Sequence, residues 1–241
     1  MPILAQSPQQ QRVFVRRGFR WDSADAYLFD IDGTLLNSRD AVHYFAFRTA
    51  IQEELGLEAS IDHVPVHGNT DPGILRAALR QQGLAEAEIS SHLPKIVERM
   101  CAEVERNRAD LRPEICPSIR ELITRLREAG KLLGVVSGNL APIGRMKLEA
   151  AGLLQEFSFS AFSHPRKLRT EIFEDGIQQA RELTSGRAEV CIVGDTPSDI
   201  EAARQTGAPV IVFATGVFSF EQLKACGPDA CFACAADLLA F

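Results

Sequence analysis

Three short polar segments could do chemistry together, because each one follows an apolar run. They are Asp30-Ile31-Asp32-Gly33-Thr34, Ser137-Gly138-Asn139 and Gly194-Asp195-Thr196-Pro197-Ser198-Asp199. If the apolar runs are strands of one open parallel sheet, the polar segments meet beyond the carboxyl ends of those strands. Crowded carboxylates raise one another's pKa unless a cation joins them, and an all-oxygen shell suits Mg²⁺. The acids concerned are Asp30, Asp32, Asp195 and Asp199, although any one of them could instead cap a helix.

The apolar runs have the length and composition of strands that are buried on both faces. They span residues 26–29, 132–136 and 190–193, with further runs at 209–213 and 157–162. Such runs are typical of a parallel sheet. Helical patterns lie between the runs, at residues 118–129, 142–151, 171–183 and 198–206. This alternation predicts an α/β fold with a Rossmann-like, doubly wound parallel sheet.

One region interrupts the alternation. Residues 41–112 show helical patterns and no convincing strand, and their last helix carries a regular apolar stripe from Leu93 to Val104. Asp71 is predicted to cap a helix that begins at Pro72. We therefore predict an all-helical domain at 41–112, inserted into an α/β core made of residues 22–40 and 113–241. Residues 1–21 are polar and basic and are predicted to form a tail.

Composition and charge exclude several classes of function. The net charge of −6 argues against a broad attraction to nucleic acid. No apolar run approaches the 18 or more residues expected of a membrane span, and the N-terminal stretch has no apolar segment typical of a secretory signal. Six cysteines without an export signal predict reduced thiols and a cytoplasmic protein. The sequence leaves the oligomeric state open.

Residues 30–36 resemble the first motif of the haloacid dehalogenase superfamily of hydrolases. Ser137 resembles the second motif, and Gly194-Asp195 with Asp199 resembles the fourth. The helical insert is similar to the family's cap domain, and the resemblance extends over residues 25–236. It places the chain near the phosphoglycolate phosphatase and β-phosphoglucomutase branch, which carries a helical cap.

The third motif departs from the family pattern. Family members of this type often show Lys-Pro-x-Pro-x-x-Phe, and counting back from Phe173 leads to Lys167. Leu168 and Thr170 replace both prolines. The resemblance therefore implies Lys167 as the cation of the site, with Arg169 as the alternative.

The resemblance also implies a mechanism, a two-step phosphoryl transfer through an aspartyl phosphate. Asp30 would be the nucleophile, and Asp32 would protonate the leaving alcohol and later deprotonate water. Ser137 and the cation would neutralise the phosphoryl oxygens, with Gly138 and Asn139 beside them. Mg²⁺ would be held by Asp30, Asp195 and Asp199, with Asp32 contributing only its backbone carbonyl. Asn69 and Thr70, in a loop of the insert, are expected to contact the substrate.

Three functions compete on these grounds. The leading prediction is a phosphatase of a small phosphorylated metabolite, such as phosphoglycolate or a sugar phosphate. A sugar phosphomutase would use the same acids, and a catalytically silent binding module is the third reading. Asp32 argues against dehalogenases and phosphonatases, which lack an acid at that position. Several buried carboxylates without a function would only destabilise the fold, which argues against a silent module.

Overall fold

The structure is a computed structural model that describes residues 12–163 and 168–241. Over these ranges the strands are β1 (Val13–Val15), β2 (Ala26–Phe29), β3 (Leu36–Ser38), β4 (Pro113–Ile115), β5 (Leu132–Leu140), β6 (Phe159–Ser163), β7 (Val190–Gly194), β8 (Val210–Phe213) and β9 (Ala230–Phe232). The α-helices there are α1 (Val42–Leu55), α2 (Asp71–Gln81), α3 (Glu86–Arg106), α4 (Ile119–Glu128), α5 (Ala141–Ala150), α6 (Arg169–Leu183), α7 (Pro197–Thr206), α8 (Phe220–Ala225) and α9 (Ala235–Leu239).

The main sheet confirms the predicted α/β fold. Its described strands run in the order β1-β9-β8-β7-β2-β5-β6, and every neighbouring pair is parallel except β1 with β9. β2 lies between β5 and β7, so its first residue, Ala26, faces Leu132 on one side and Val190 on the other. Every residue of β2, β7 and β8 is buried because helices cover both faces of the sheet. The ends of β2, β5 and β7 therefore share one edge.

The prediction of a tail is wrong for residues 13–15. These residues form β1, which pairs antiparallel with β9, so that Val13 faces Phe232 and Val15 faces Ala230. The pairing satisfies backbone groups that the edge of β9 would otherwise leave open. A strand of three residues is too short to show an alternating pattern, which is why the sequence did not reveal it. Residues 1–11 lie outside the described part of the chain.

Residues 41–112, here called the helical insert, are fully described and contain α1, α2 and α3. The apolar faces of the three helices meet in one cluster, which also includes Leu140, Ile143 and Met146 of the sheet domain. The two chain segments that enter and leave the insert pair as β3 and β4, with Leu36 facing Ile115 and Ser38 facing Pro113. No helix among the described residues is long and apolar enough to cross a membrane.

Candidate active site

The turn after β2 positions two of the predicted acids. Asp30 is the residue that follows the strand, and its N–H donates to the carbonyl of Val193 in β7. The chain then reverses, because the N–H groups of Leu35 and Leu36 both donate to the Ile31 carbonyl, at 2.9 and 3.0 Å. Gly33 makes this turn with a φ of +87°, and a Cβ at this position would lie 2.1 Å from Oδ2 of Asp195. A larger residue would therefore displace Asp195 as well as strain the turn.

Three buried carboxylates meet at the edge of the sheet. Among the described residues, Asp30, Asp195 and Asp199 each offer an oxygen within 4.8 Å of the other two. Burial raises the pKa of Asp30 to about 6, although the guanidinium of Arg169 lowers it. Burial also raises the pKa of Asp195 well above its usual range, and the charges of Asp199 and Asp30 add to this effect. Repulsion among the three carboxylates adds to the effect of burial, and a hard divalent cation would relieve it, so these residues fit Mg²⁺.

Asp199 has two roles in this arrangement. Its Oδ2 accepts hydrogen bonds from the backbone N–H and the hydroxyl of Thr196, at 2.9 and 2.7 Å, in a capping box at the start of α7. Its Oδ1 faces the site. The helix-cap and the metal-ligand readings of this residue are therefore compatible, because each uses a different oxygen.

Arg169 brings a positive charge into the acidic cluster. Its Nη2 lies 2.7 Å from Oδ2 of Asp30 and 2.5 Å from Oδ1 of Asp199. The side chain is buried, and α6 begins at this residue, so the helix fixes the position of its backbone. The alternative cation of the sequence analysis is thus in the site. Lys167 lies outside the described residues and stays a prediction.

Asp32 points away from the other three acids and towards a lysine. Both of its carboxylate oxygens lie 2.8 Å from Nζ of Lys147, and Nδ2 of Asn139 donates to Oδ2 at 2.7 Å. Partial burial acts to raise the pKa of Asp32, but Lys147 and Asn139 outweigh it and hold this pKa below its ordinary value. The side chain is still 42% exposed, so the ion pair lies at the surface of the cavity. Metal contact through the Asp32 backbone stays a prediction.

Lys147 is a site residue that the sequence analysis missed. It lies in α5 and is only 3% exposed, and its Nζ also donates to Oδ1 of Asn139 at 3.0 Å. Asn139 in turn donates to the hydroxyl oxygen of Ser137 at 2.8 Å, so a continuous hydrogen-bonded chain links Ser137 to Asp32. One signal was available. Lys147 lies one turn after Ile143, on the apolar face of α5, where a charged residue needs a partner.

A loop of the insert covers the end of β5. A Cβ at Gly138 would lie 2.3 Å from the carbonyl oxygen of Asn69, so only glycine allows this approach. Oδ2 of Asp71 accepts the N–H of Leu140 at 2.7 Å and ties α2 to the same strand. Thr70, not Asp71 as predicted, caps α2, because its hydroxyl accepts the N–H of Gly73 at 3.1 Å.

A cavity of about 250 Å³ lies between this edge of the sheet and the insert. Asp30, Asp32, Ser137, Gly138, Asn139, Lys147, Arg169 and Asp195 line its floor, and Asn69 lies in its roof. Thr70 does not line it, so the predicted contact of its side chain with substrate is not supported. A larger, open groove beside the first residues of β7 and β8 lies at the opposite edge of the sheet, away from the acids.

Comparison with known proteins agrees with this geometry. The family model described as haloacid dehalogenase-like hydrolase matches residues 27–213. The match extends from β2 to the end of β8 and takes in the floor of the cavity and the insert. The protein therefore belongs to the haloacid dehalogenase-like hydrolase family, which confirms the resemblance of the motifs and makes the chain a hydrolase.

Individual relatives are more distant. The phosphoglycolate phosphatase of Synechococcus elongatus is 28% identical over 221 residues, which are 89% of this chain and 95% of that protein. A Dickeya dadantii protein named "Probable phosphatase IndB" is 28% identical over 84% of this chain and 86% of its own length. A variant of CbbY from Rhodobacter sphaeroides, solved with xylulose-(1,5)bisphosphate, is similar with a TM-score of 0.67. It is 22% identical over 89% of this chain and 96% of its own, which shows a common fold.

Proposed function

We propose that the protein is a magnesium-dependent phosphatase that hydrolyses a small phosphorylated metabolite through an aspartyl-phosphate intermediate. The observation that carries the proposal is the grouping of Asp30 with Asp195 and Asp199. Asp30 and Asp195 line the floor of a cavity that Lys147 and Arg169 also line, and Asp199 is buried directly behind them. Acids alone would repel a phosphate. Acids with a metal and two cations match a phosphoryl group that carries charge on several oxygens.

Asp30, Asp195 and Asp199 would hold the ion. Bound there, Mg²⁺ supplies charge neutralisation for a phosphate beside an anionic nucleophile. Asp30 is the only one of the three that directly follows the central strand β2, and its backbone N–H is fixed by Val193. This fixed backbone favours Asp30 as the nucleophile, because in-line attack depends on its position. Calcium would support the reaction poorly, since its coordination is longer and less regular.

Asp32 acts as general acid and then as general base. In the arrangement described here its carboxylate is held ionised by Lys147 and Asn139. A phosphate entering the cavity competes with Asp32 for the Lys147 ammonium, and release of that contact lets the pKa of Asp32 rise. Asp32 can then donate a proton to the leaving alcohol and later accept one from the attacking water.

The helical insert acts as a cap over this chemistry. The intermediate must be made without bulk water and hydrolysed with it, so the roof has to open and close. Asn69, in the loop that touches Gly138, is placed to meet the part of the substrate beyond its phosphate.

The test is release of inorganic phosphate from p-nitrophenyl phosphate, followed by a screen of phosphorylated metabolites. Activity should disappear with EDTA and return with Mg²⁺. Asp30→Asn should lower kcat by at least about three orders of magnitude, because it removes a nucleophile that acts as a unit with its neighbours. Activity of Asp30→Asn within tenfold of wild type, with an unchanged melting temperature, would contradict the proposal. Transfer of phosphate to a sugar without its release would indicate a mutase instead.

A further inference from the structure

The roof of the cavity, formed by the insert, carries no positive residue of fixed charge. The insert is fully described and contains Arg48, Arg76, Arg80, Lys95, Arg99, Arg106, Arg108 and Arg112. None of these side chains lines the cavity. Several are occupied elsewhere: Arg76 and Arg80 pair with Glu86, and Arg99 pairs with Glu54 on the outer side of the insert.

Two aspartates line the same side of the cavity. Asp40, where the insert begins, accepts the N–H groups of Val42 and Arg112, at 3.0 and 2.6 Å. Asp71 accepts the N–H of Leu140, and its Oδ2 also lies 3.3 Å from Nε2 of His43. Backbone donors hold both carboxylates in place without cancelling their charge. Among the described residues on this side of the cavity, the basic side chains are the imidazoles of His43 and His67, and that of His43 lies beside Asp71.

Beside the acids and the polar residues Tyr44, His67 and Asn69, the roof is apolar. Phe47, Ile61 and Ile74 are buried side chains that reach the cavity, and Val66 joins them from the loop before Asn69. The ring of His43 stacks on Phe47 with 5.2 Å between ring centroids. A group bound here is removed from water and placed beside hydrocarbon and aspartate. A carboxylate or a second phosphate would lose its hydration and gain repulsion in exchange.

We infer that the substrate, under the phosphatase activity proposed above, is a phosphomonoester whose alcohol portion carries no negative charge and is largely apolar. Such a substrate differs from the compounds that appear in the names of the relatives. Phosphoglycolate carries a carboxylate and xylulose-(1,5)bisphosphate carries a second phosphate. Both would place an anion against a roof with acids and no lysine or arginine.

The test compares two substrates that differ in one charge. Phosphoglycolate and its neutral amide, phosphoglycolamide, have nearly the same shape, so their ratio of kcat/KM isolates the charge. We expect the amide to be preferred at least about tenfold, and benzyl phosphate to exceed both, because a single unfavourable charge contact in a partly desolvated site is of this order. A preference below tenfold would overturn the inference. Hydrolysis of p-nitrophenyl phosphate in the same preparation tests the proposed function separately. If this activity is absent, both the proposed function and the inference about the substrate are contradicted.

A variant of the roof makes the test independent of leaving-group chemistry. Val66 is only partly buried, so Val66→Arg adds a cation to the roof with little disturbance, and Val66→Met is the neutral control of similar length. Val66→Arg should lower the preference for the amide over phosphoglycolate by at least about fivefold, while Val66→Met leaves it within twofold, since only the former adds a charge. If a folded Val66→Arg protein keeps the same kcat/KM ratio between the amide and phosphoglycolate, the roof does not contact the charged group and the inference is wrong.

Discussion

Lys147 and Asp32 form an ion pair on the floor of the cavity, with Nζ at 2.8 Å from both carboxylate oxygens. The lysine is almost completely buried, whereas the aspartate opens into the cavity. A buried ammonium costs free energy unless it keeps a partner, so Lys147 must stay near an anion throughout the reaction. Asp32 is that anion in the structure, and under the proposed function the phosphoryl group of the substrate would be the second one.

Lys147→Met should therefore lower kcat/KM for p-nitrophenyl phosphate by about 100-fold, the usual cost of losing one electrostatic stabiliser in a closed site. Methionine has a similar volume and suits a buried position, so the melting temperature should change little. Lys147→Arg serves as the control that keeps the charge, and it should recover part of the activity. A Lys147→Met protein within threefold of wild type would rule out this role.

The grouping of the acids at the strand ends could be predicted from local sequence patterns alone. β2, β5 and β7 each contain an apolar run that is followed closely by polar residues, and the rules of parallel sheets place those residues together. The Lys147 contact was harder to predict, since it depends on where α5 crosses the end of β2. The same is true of β1, whose partner β9 lies at the far end of the described chain and is itself only three residues long. Thr70 shows the limit at short range: both Thr70 and Asp71 can cap a helix, and only the backbone decides between them.

Asp32→Asn should discriminate between leaving groups. An alkyl alcohol needs a proton to leave, whereas p-nitrophenolate leaves largely unaided. The first step should therefore slow much more for an alkyl phosphate than for p-nitrophenyl phosphate. Single-turnover rates measure this step apart from hydrolysis of the intermediate. Equal losses for both substrates would contradict the general-acid role of Asp32.

The metal-free protein should lose stability as pH rises. The pKa of Asp30 is raised to about 6 and that of Asp195 is raised well above its usual range, both from an ordinary value of about 3.9 in an unfolded chain. The folded state therefore binds more protons than the unfolded state above pH 4. Its free energy of unfolding falls from there through pH 6 and beyond. Melting temperatures in EDTA across pH 4.5 to 8 measure this, and Mg²⁺ should reverse the fall at the upper end.

Asp195→Asn is the matched variant for that experiment. It removes one of three mutually repelling charges, and its amide can donate to Asp30 or Asp199. At pH 7.5 the metal-free variant should be more stable than wild type by on the order of 1 kcal/mol, or about 2–4 °C in a chain of this size. The stabilisation by Mg²⁺ should be lost at the same time. A variant less stable than wild type without metal, or one still stabilised by Mg²⁺, would contradict the acidic cluster as the metal site.

Gly138→Ala should impair closure of the insert. The added Cβ would fall 2.3 Å from the carbonyl oxygen of Asn69, so the loop has to move away. We expect kcat/KM to fall at least about tenfold, because displacements near 1 Å are enough to disturb a positioned site. Gly83→Ala is the control, since Gly83 has a φ of +86° at the end of α2 but nothing within 4 Å of its Cβ position. Gly83→Ala should lower stability without lowering kcat/KM. If it lowers kcat/KM as much as Gly138→Ala does, impaired closure is not the cause of the loss.

The pairing of β3 with β4 has a mechanical consequence. Because the two connections to the insert are hydrogen-bonded to each other, they cannot bend independently of one another. The first of these connections, β3, is also tied to the acid-bearing turn, since the N–H of Gly33 donates to the carbonyl of Leu36 at 2.8 Å. Under the proposed function, a swing of the insert would therefore pull on the backbone next to Asp32. Admission of water and repositioning of the proposed general base would then occur together.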